Sequence, residues 1–415
     1  MDRKTTVSAL DEITNLRIDE AALRTHVMRP EHTMGVISDK GFVDVRQHPK
    51  YEFTFTFGSL YHLDVDGFGK SLHQELEDKV AGYSVRLQQR NSVIYARDSN
   101  WAKAPSDGSE TWNGDVRMHV ASCSKLITAI AMTRILNEKQ ISYDTPIIGF
   151  LPTYWAKGPN IDRITFRHLM THTSGFNNGG SSASDFEFMK DRVAHGVMAI
   201  GGFNYENMNF GLCRILIATI LEDVAPGAIF AFPVIPISND VAWDYLTIRS
   251  YTQYVENYVF APAGVSGPTL DHPAADALAY NFPVSGNGWN SSDLTSMSGG
   301  AGWHMSPDDL LRIMRTFRRK GVIMSAARAQ AMLDNGFGID GAGSTPLGPV
   351  YSKKGFWQDS GKHVEQSLVY FLPRNMELVV LVNSPIGSAG EVFELLVNKA
   401  LMSNISLSPF LLRLP

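Results

Sequence analysis

The chain predicts an α/β (α+β) fold, with an antiparallel sheet flanked by helices and built from both ends of the sequence. Three observations carry this. Residues 81–87 and 92–96 read as an early hairpin, and residues 364–372 and 378–382 read as a late pair of strands around Pro373-Arg374-Asn375. Between these pairs the apolar residues recur at three and four positions, as in Leu126, Ile127, Ala129, Ile130, Met132, Ile135 and Leu136, and again over residues 212–221, which is the period of buried helices. At 415 residues and 44% hydrophobic, the chain is long enough to bury a sizeable core.

Taken in order, residues 1–66 form an extension expected to pack on a main body at 67–415. A helix-like stretch runs over residues 13–23. Glu52-Phe53-Thr54-Phe55-Thr56-Phe57 alternates strictly, as a half-buried strand does. Asp64-Val65-Asp66-Gly67 begins like a calcium loop but lacks the later ligands. Gly336-Phe337-Gly338-Ile339-Asp340-Gly341 spells a dinucleotide glycine pattern without the strand-turn-helix context and is expected to be a loop. Ser388-Ala389-Gly390-Glu391 reads as the capping box of a final helix through Leu401.

The chemistry concentrates at Ser122-Cys123-Ser124-Lys125, where a hydroxyl and an amine stand three positions apart at the start of a helical pattern and so share a face. A serine hydroxyl becomes a nucleophile when a neighbouring base takes its proton. A lysine supplies that base if its pKa falls from about 10.4. The start of a helix also offers free N–H groups to an oxyanion. Cys123 points about a hundred degrees away on a helix and is rejected as the attacking atom. It and Cys213 read as reduced core residues. Downstream, Tyr205-Glu206-Asn207 stands at the entrance of the second apolar helix. A tyrosine there can relay a proton, and an asparagine can hold a lysine or a substrate carbonyl. Lys353-Lys354-Gly355 precedes the late strands. A lysine on an edge strand attracts a substrate carboxylate, and a glycine beside it admits close approach.

Together these residues resemble the serine β-lactamase and penicillin-binding-protein superfamily, with its S-x-x-K, Y-x-N and K-T-G motifs. Ile164-Thr165-Phe166-Arg167-His168-Leu169-Met170-Thr171-His172-Thr173-Ser174-Gly175 is similar to its "I-T-hydrophobic-R-x-L-L-x-H-T-S-G" segment. Val259-Phe260-Ala261-Pro262-Ala263-Gly264-Val265 and Ser298-Gly299-Gly300-Ala301-Gly302-Trp303-His304-Met305-Ser306 resemble two further stretches of it. The resemblance implies a β-lactamase/transpeptidase-like fold with an all-helical lobe at about 140–300 and a first helix near Lys70. It implies that Ser122 is acylated, that Lys125 assists its deprotonation, and that Tyr205 is base during acylation and acid toward the leaving group. Asn207 would orient Lys125 or bind substrate. The backbone N–H groups of Ser122 and Phe356 would form the oxyanion hole. Lys353 and Gly355 would supply the third motif, with Asp359-Ser360-Gly361 as the alternative, and His172 would be a buried structural histidine.

The tyrosine in the second motif resembles class C enzymes, family VIII esterases and D-aminopeptidases. Lys354 stands where antibiotic-binding members carry a threonine hydroxyl. The expectation is therefore a serine hydrolase of small esters, thioesters or amides, with acyl transfer feasible. A β-lactamase or D-amino-acid peptidase is the alternative, and a non-catalytic scaffold is the reading from another class. A net charge of −5 gives no reason to expect nucleic acid. No His/Cys/Asp cluster has metal-ligand spacing, so no metal or other cofactor is expected. The first residues lead into no signal-like core and no apolar run reaches spanning length, so a cytosolic protein without a membrane partner is expected.

Overall fold

In the computed structural model, which describes residues 61–230, 237–388, 390 and 392–407, two compact units make up the chain. One holds the strands and the other, Thr128–Asn257 with Thr295–Gly300, is helical. In chain order the strands are β1 (Tyr61–Leu63), β2 (Gly82–Gln89), β3 (Ser92–Lys103), β4 (Glu110–Thr111), β5 (Met118–His119), β6 (His304–Met305), β7 (Gly341–Thr345), β8 (Gly348–Gln358), β9 (Val364–Leu372), β10 (Met376–Val382) and β11 (Ile405–Leu407). Seven of them form one antiparallel sheet in the order β4-β3-β2-β10-β9-β8-β7, so both ends of the chain meet at its centre, where Val379 of β10 faces Arg86 of β2 and Val369 of β9. β1 pairs with β11, and β5 with β6.

The central strands β9 and β10 are buried along their whole length, and the two-residue alternation divides their side chains between two packed faces. Leu378, Val380 and Val382 meet Phe68, Leu72 and Leu76 of the helix Val65–Leu76 and Val397 and Leu401 of the helix Phe393–Ser403 in one apolar cluster. Each such side chain contributes about 1.5–3 kcal/mol by leaving water. On the opposite parity, the carboxylate of Glu377 is held by Arg319 at 2.9 Å and by Gln88 at 3.0 Å. At the β9–β10 turn, Arg374 and Asn375 both take positive φ, 59° and 57°.

Several local expectations need correction. Asp64, which opens the calcium-like string, is the N-cap of Val65–Leu76 and accepts from Gly67 N at 3.0 Å, so that helix starts earlier than Lys70. The final helix is not capped by Ser388: its N-cap is Val392, with no side-chain cap bond, because the helix begins only at Phe393. Lys353 is fully buried rather than solvated on an edge, and residues 341–345 form the further strand β7, which pairs with β8 up to the residue before it, Ser352. The strand at residues 52–57 and the helix at 13–23 lie outside the described residues.

In the helical unit, Asn207–Ile220 is buried on every side, as its largely apolar sequence, interrupted by Asn209, Arg214 and Thr219, favours. Its fully buried Arg214 is satisfied by Asp244 at 2.9 Å, by the Ser296 carbonyl at 3.0 Å and by Ser298 Oγ at 3.2 Å. Among the described residues no helix is long and apolar enough to cross a membrane.

Candidate active site

Ser122 stands where β5 turns into the helix Ser124–Glu138. Strand β5 is pinned to β6, and the Val120 N–H continues the pairing to the Trp303 carbonyl at 2.9 Å. The chain then bends sharply: Ala121 has φ +46°, a left-handed conformation that costs an alanine energy, and residues Ala121–Cys123 make one 3₁₀ turn. Ser124 caps the bend by accepting from Trp303 N at 3.2 Å. Ser122 is thereby held half-buried at the start of a helix. Lys125, fully buried one turn on, donates from Nζ to Ser122 Oγ at 3.0 Å. Cys123 points elsewhere. Its thiol, pushed up to about 12 by burial, donates to the Lys353 carbonyl at 3.4 Å, so it is no competing nucleophile.

β8 passes the nucleophile turn edge-on at Gly355. A Cβ there would sit 2.3 Å from the Val120 carbonyl, 2.3 Å from Ser367 Oγ and 3.0 Å from Ser122 N, so only glycine allows this approach. The N–H of Lys354 leaves β8 on the side away from β9 and donates to Asp340 at 3.1 Å. By the two-residue period, the N–H of Phe356 points the same way, past the end of β7. Asp359-Ser360-Gly361 lies instead in the turn between β8 and β9, where Asp359 accepts from His363 N at 2.9 Å.

The lysines of this segment do not have the surroundings expected of them. Lys353 is fully buried and its ammonium pairs with Asp340 at 2.6 Å. Lys354 reaches Glu394 at 3.1 Å. A substrate carboxylate would have to compete with these partners. The physical reason is the pleat: the alternation along β8 turns Lys353 inward and Lys354 outward, and the buried ammonium needs a counter-charge.

Tyr205 and Asn207 stand in the helical unit. Tyr205 is 39% exposed, at the entrance of Asn207–Ile220, and its ring stacks on that of His172 at 4.2 Å and 28°. Asn207 is buried and donates from Nδ2 to the Ser182 carbonyl at 2.8 Å. His172, itself at φ +56°, is fixed by Glu206 N and Asn209 Nδ2, each 3.2 Å from Nδ1. It is buried, as its place in the H-T-S-G string implied. Its stacking under the tyrosine left no sign in the sequence.

The sheet, the turn at Ser122 and the strand passing it have the fold of the serine β-lactamases and penicillin-binding proteins. Residues 68–223, from within the first described helix to just past Asn207–Ile220, match the Beta-lactamase family model. A solved class C β-lactamase from Rhodobacter sphaeroides superposes with a TM-score of 0.59 at 14% identity, over 81% of this chain and 99% of that one. The putative penicillin-binding protein PbpX of Bacillus subtilis (strain 168) is 24% identical over 152 residues, 36% of this chain and 31% of the relative. The acyltransferase calJ of Penicillium decumbens is 32% identical over 109 residues, 23% of this chain and 26% of the relative. The matches thus span a third or less of these curated relatives.

Proposed function

We propose that the chain is a serine hydrolase that forms an acyl-enzyme on Ser122 and acts on small uncharged esters, thioesters or amides. The observation that carries this is the 3.0 Å contact from a fully buried Lys125 ammonium to the half-buried Ser122 hydroxyl. Ser122 Oγ attacks the substrate carbonyl carbon while its proton passes to Tyr205 as the general base, with Lys125 assisting. The developing oxyanion is received by the N–H groups of Ser122 and Phe356, each such donor being worth about 2.7–4 kcal/mol in the transition state. Tyr205 is assigned the acid–base role, returning the proton to the departing alcohol, thiol or amine. A water, or a second alcohol or amine, then takes the acyl group from Ser122. The acyltransferase relative supports the transfer outcome.

Two features favour uncharged substrates over β-lactams and D-amino-acid peptides, which carry a carboxylate. Both lysines of the third motif have carboxylate partners, and Phe356, 53% exposed, presents an aromatic face beside its own N–H. The experiment is intact-mass spectrometry after exposure to a fluorophosphonate: one adduct is expected, and Ser122→Ala abolishes it. A scaffold would gain none. A panel of p-nitrophenyl esters beside nitrocefin separates esterase from lactamase, and rapid nitrocefin turnover with inert esters would overturn the substrate assignment.

A further inference from the structure

Beneath the nucleophile turn, within the sheet unit, lies a polar cluster that the chemistry above does not use: His119 of β5, His304 of β6, Glu365 of β9, Ser291 and the backbone of Gly302. His119, His304 and Glu365 are fully buried. Among the described residues no group of His, Cys, Asp and Glu is arranged to hold a metal ion, so the cluster is read through its hydrogen bonds.

Donor and acceptor roles follow by elimination. Gly302 N–H donates to His119 Nε2 at 3.1 Å, so that nitrogen carries no proton. Nδ1 therefore does, and donates to Glu365 Oε2 at 2.8 Å. The Gly302 carbonyl can only accept, so His304 Nδ1 donates to it at 3.1 Å and His304 Nε2 is left as an acceptor. Ser291 Oγ, with one proton to give, faces that nitrogen at 3.5 Å. The same oxygen lies 3.3 Å from Glu365 Oε1. With Glu365 ionised, that proton goes to Oε1 and His304 Nε2 is left without a donor; with Glu365 protonated, the acid donates to Ser291 Oγ, the serine donates to His304, and every buried group in the cluster is satisfied.

We propose that Glu365 is a protonated, uncharged carboxylic acid closing a hydrogen-bonded ring through Ser291, His304, Gly302 and His119, and that this ring positions the Ser122 turn for acylation. The positioning half rests on the reading of Ser122 as nucleophile; the protonation half does not. The ring ties β5, β6 and β9 together immediately before the strained Ala121. Its neighbours Trp303 and Ser367 hold both sides of the Val120 peptide, Ser367 Oγ donating to the Val120 carbonyl at 2.6 Å. The 2.8 Å contact would be an ion pair only if His119 carried two protons, which the Gly302 N–H forbids.

The electrostatics agree. Burial raises the Glu365 carboxyl well above its usual range and holds the His119 imidazole down to about 3, the Lys125 charge adding to the effect. The other groups facing the cluster are His272, whose ring lies 5.0 Å from that of His304, Asp271 and Asp276 on the same segment, Lys103 of β3, Arg117 before β5 and Asp309 after β6. The ring of Trp357 covers His119 edge-on at 5.5 Å. Asp276 is itself pushed up to about 6 by burial, so the test must isolate Glu365.

Glu365→Gln keeps every link, since its carbonyl accepts from His119 and its amide donates to Ser291. Glu365→Leu breaks two, and Ser291→Ala opens the ring with the loss of one hydroxyl. With the full chain and a p-nitrophenyl ester, E365Q is expected to keep kcat within about two-fold. E365L should lose about ten-fold or more and S291A about three-fold, all with KM nearly unchanged. In the infrared difference spectrum, wild type should carry the carbonyl stretch of a protonated acid that E365Q lacks.

A carboxyl whose folded pKa is raised stabilises fully below its unfolded value of about 4.3, and this contribution is lost as pH rises toward the folded value. The thermal midpoint of E365Q should therefore gain on wild type steadily from pH 4.5 to 8. Absence of the infrared band, or an E365Q that melts lower than wild type at pH 8 as a broken ion pair would, overturns the protonation. Equal kcat in E365Q, E365L and S291A overturns the positioning role. If E365L does not fold, S291A decides that role. Were Ser122 not the nucleophile, the infrared band and pH slope would persist in a protein without esterase activity.

Discussion

A buried amine reaching a half-buried hydroxyl is the residue-scale fact on which the proposed chemistry turns. Lys125 has no exposed surface, and its Nζ lies 3.0 Å from Ser122 Oγ. Lys125→Met keeps the volume and removes the amine that assists deprotonation of Ser122, so kcat against an ester should fall by about 10²–10⁴-fold, and fluorophosphonate labelling should slow in parallel. Stopped-flow labelling at fixed probe concentration checks this. Tyr205→Phe should cost a similar factor in acylation. His172 invites a subtler test. It stacks on Tyr205 and is held at a positive φ by bonds from Glu206 and Asn209. An aromatic pair is worth about 0.5–1.5 kcal/mol, so His172→Ala should lower kcat several-fold through Tyr205, and the loss should vanish in the Tyr205→Phe background. Additive losses in that double-mutant cycle would sink the coupling.

At the scale of the element, β8 does two things at once. Its glycine lets the strand pass Ser122 N, and its alternation sends the Phe356 N–H past the end of β7. Gly355→Ala would place a methyl 2.3 Å from the Val120 carbonyl, a backbone atom that cannot step aside. The strand must move instead, at about 1–3 kcal/mol of stability and with a larger loss of kcat than of ground-state binding. Thermal melts and steady-state kinetics on the variant check both parts. The strand pairs at residues 81–96 and 364–382 were legible because local alternation and a turn mark them. β7 was not, because Gly341-Ala342-Gly343-Ser344-Thr345 has no apolar pattern and forms a strand only by pairing with β8. The surroundings of Lys353 were not legible either, because its counter-charge, Asp340, is brought to it by the fold and not by the residues on either side. Asp64 was legible as an acidic residue before a glycine, but a helix N-cap and the first ligand of a calcium loop share that composition.

Across the whole molecule, burial makes stability depend on pH. Desolvation lowers His119 to about 3, His272 to about 4 and His304 to about 2. A histidine whose folded pKa is depressed contributes stability that is full above its unfolded value of about 6.5 and is lost as pH falls toward the folded value. All three act in the same direction, against the opposite slope of the raised Glu365 and Asp276 carboxyls, so the thermal midpoint should fall between pH 6.5 and 4, and fall more steeply in Glu365→Gln, in a window where ordinary carboxylates are still ionised. Calorimetry across that range checks it, and a flat profile would mean that these imidazoles take up protons in the folded protein. Overall substrate charge is the other molecular-scale expectation. With Lys353 held by Asp340 and Lys354 by Glu394, adding a carboxylate next to the scissile carbonyl of a test ester should raise KM rather than lower it. Lys354→Thr should narrow the difference.

The sequence alone determined the sheet built from both ends, the helical middle, and the spacing of Ser122, Lys125, Tyr205 and Asn207. Each of these is written in local periodicity or in residues a turn apart, where chain geometry fixes the neighbour. Only the tertiary structure decided what Lys353 meets, which glycine passes the nucleophile, and that His119 and Glu365, 246 residues apart, share a hydrogen bond. Those outcomes belong to contacts between distant segments, and a buried polar group is defined by the partner that folding brings to it rather than by the residues on either side.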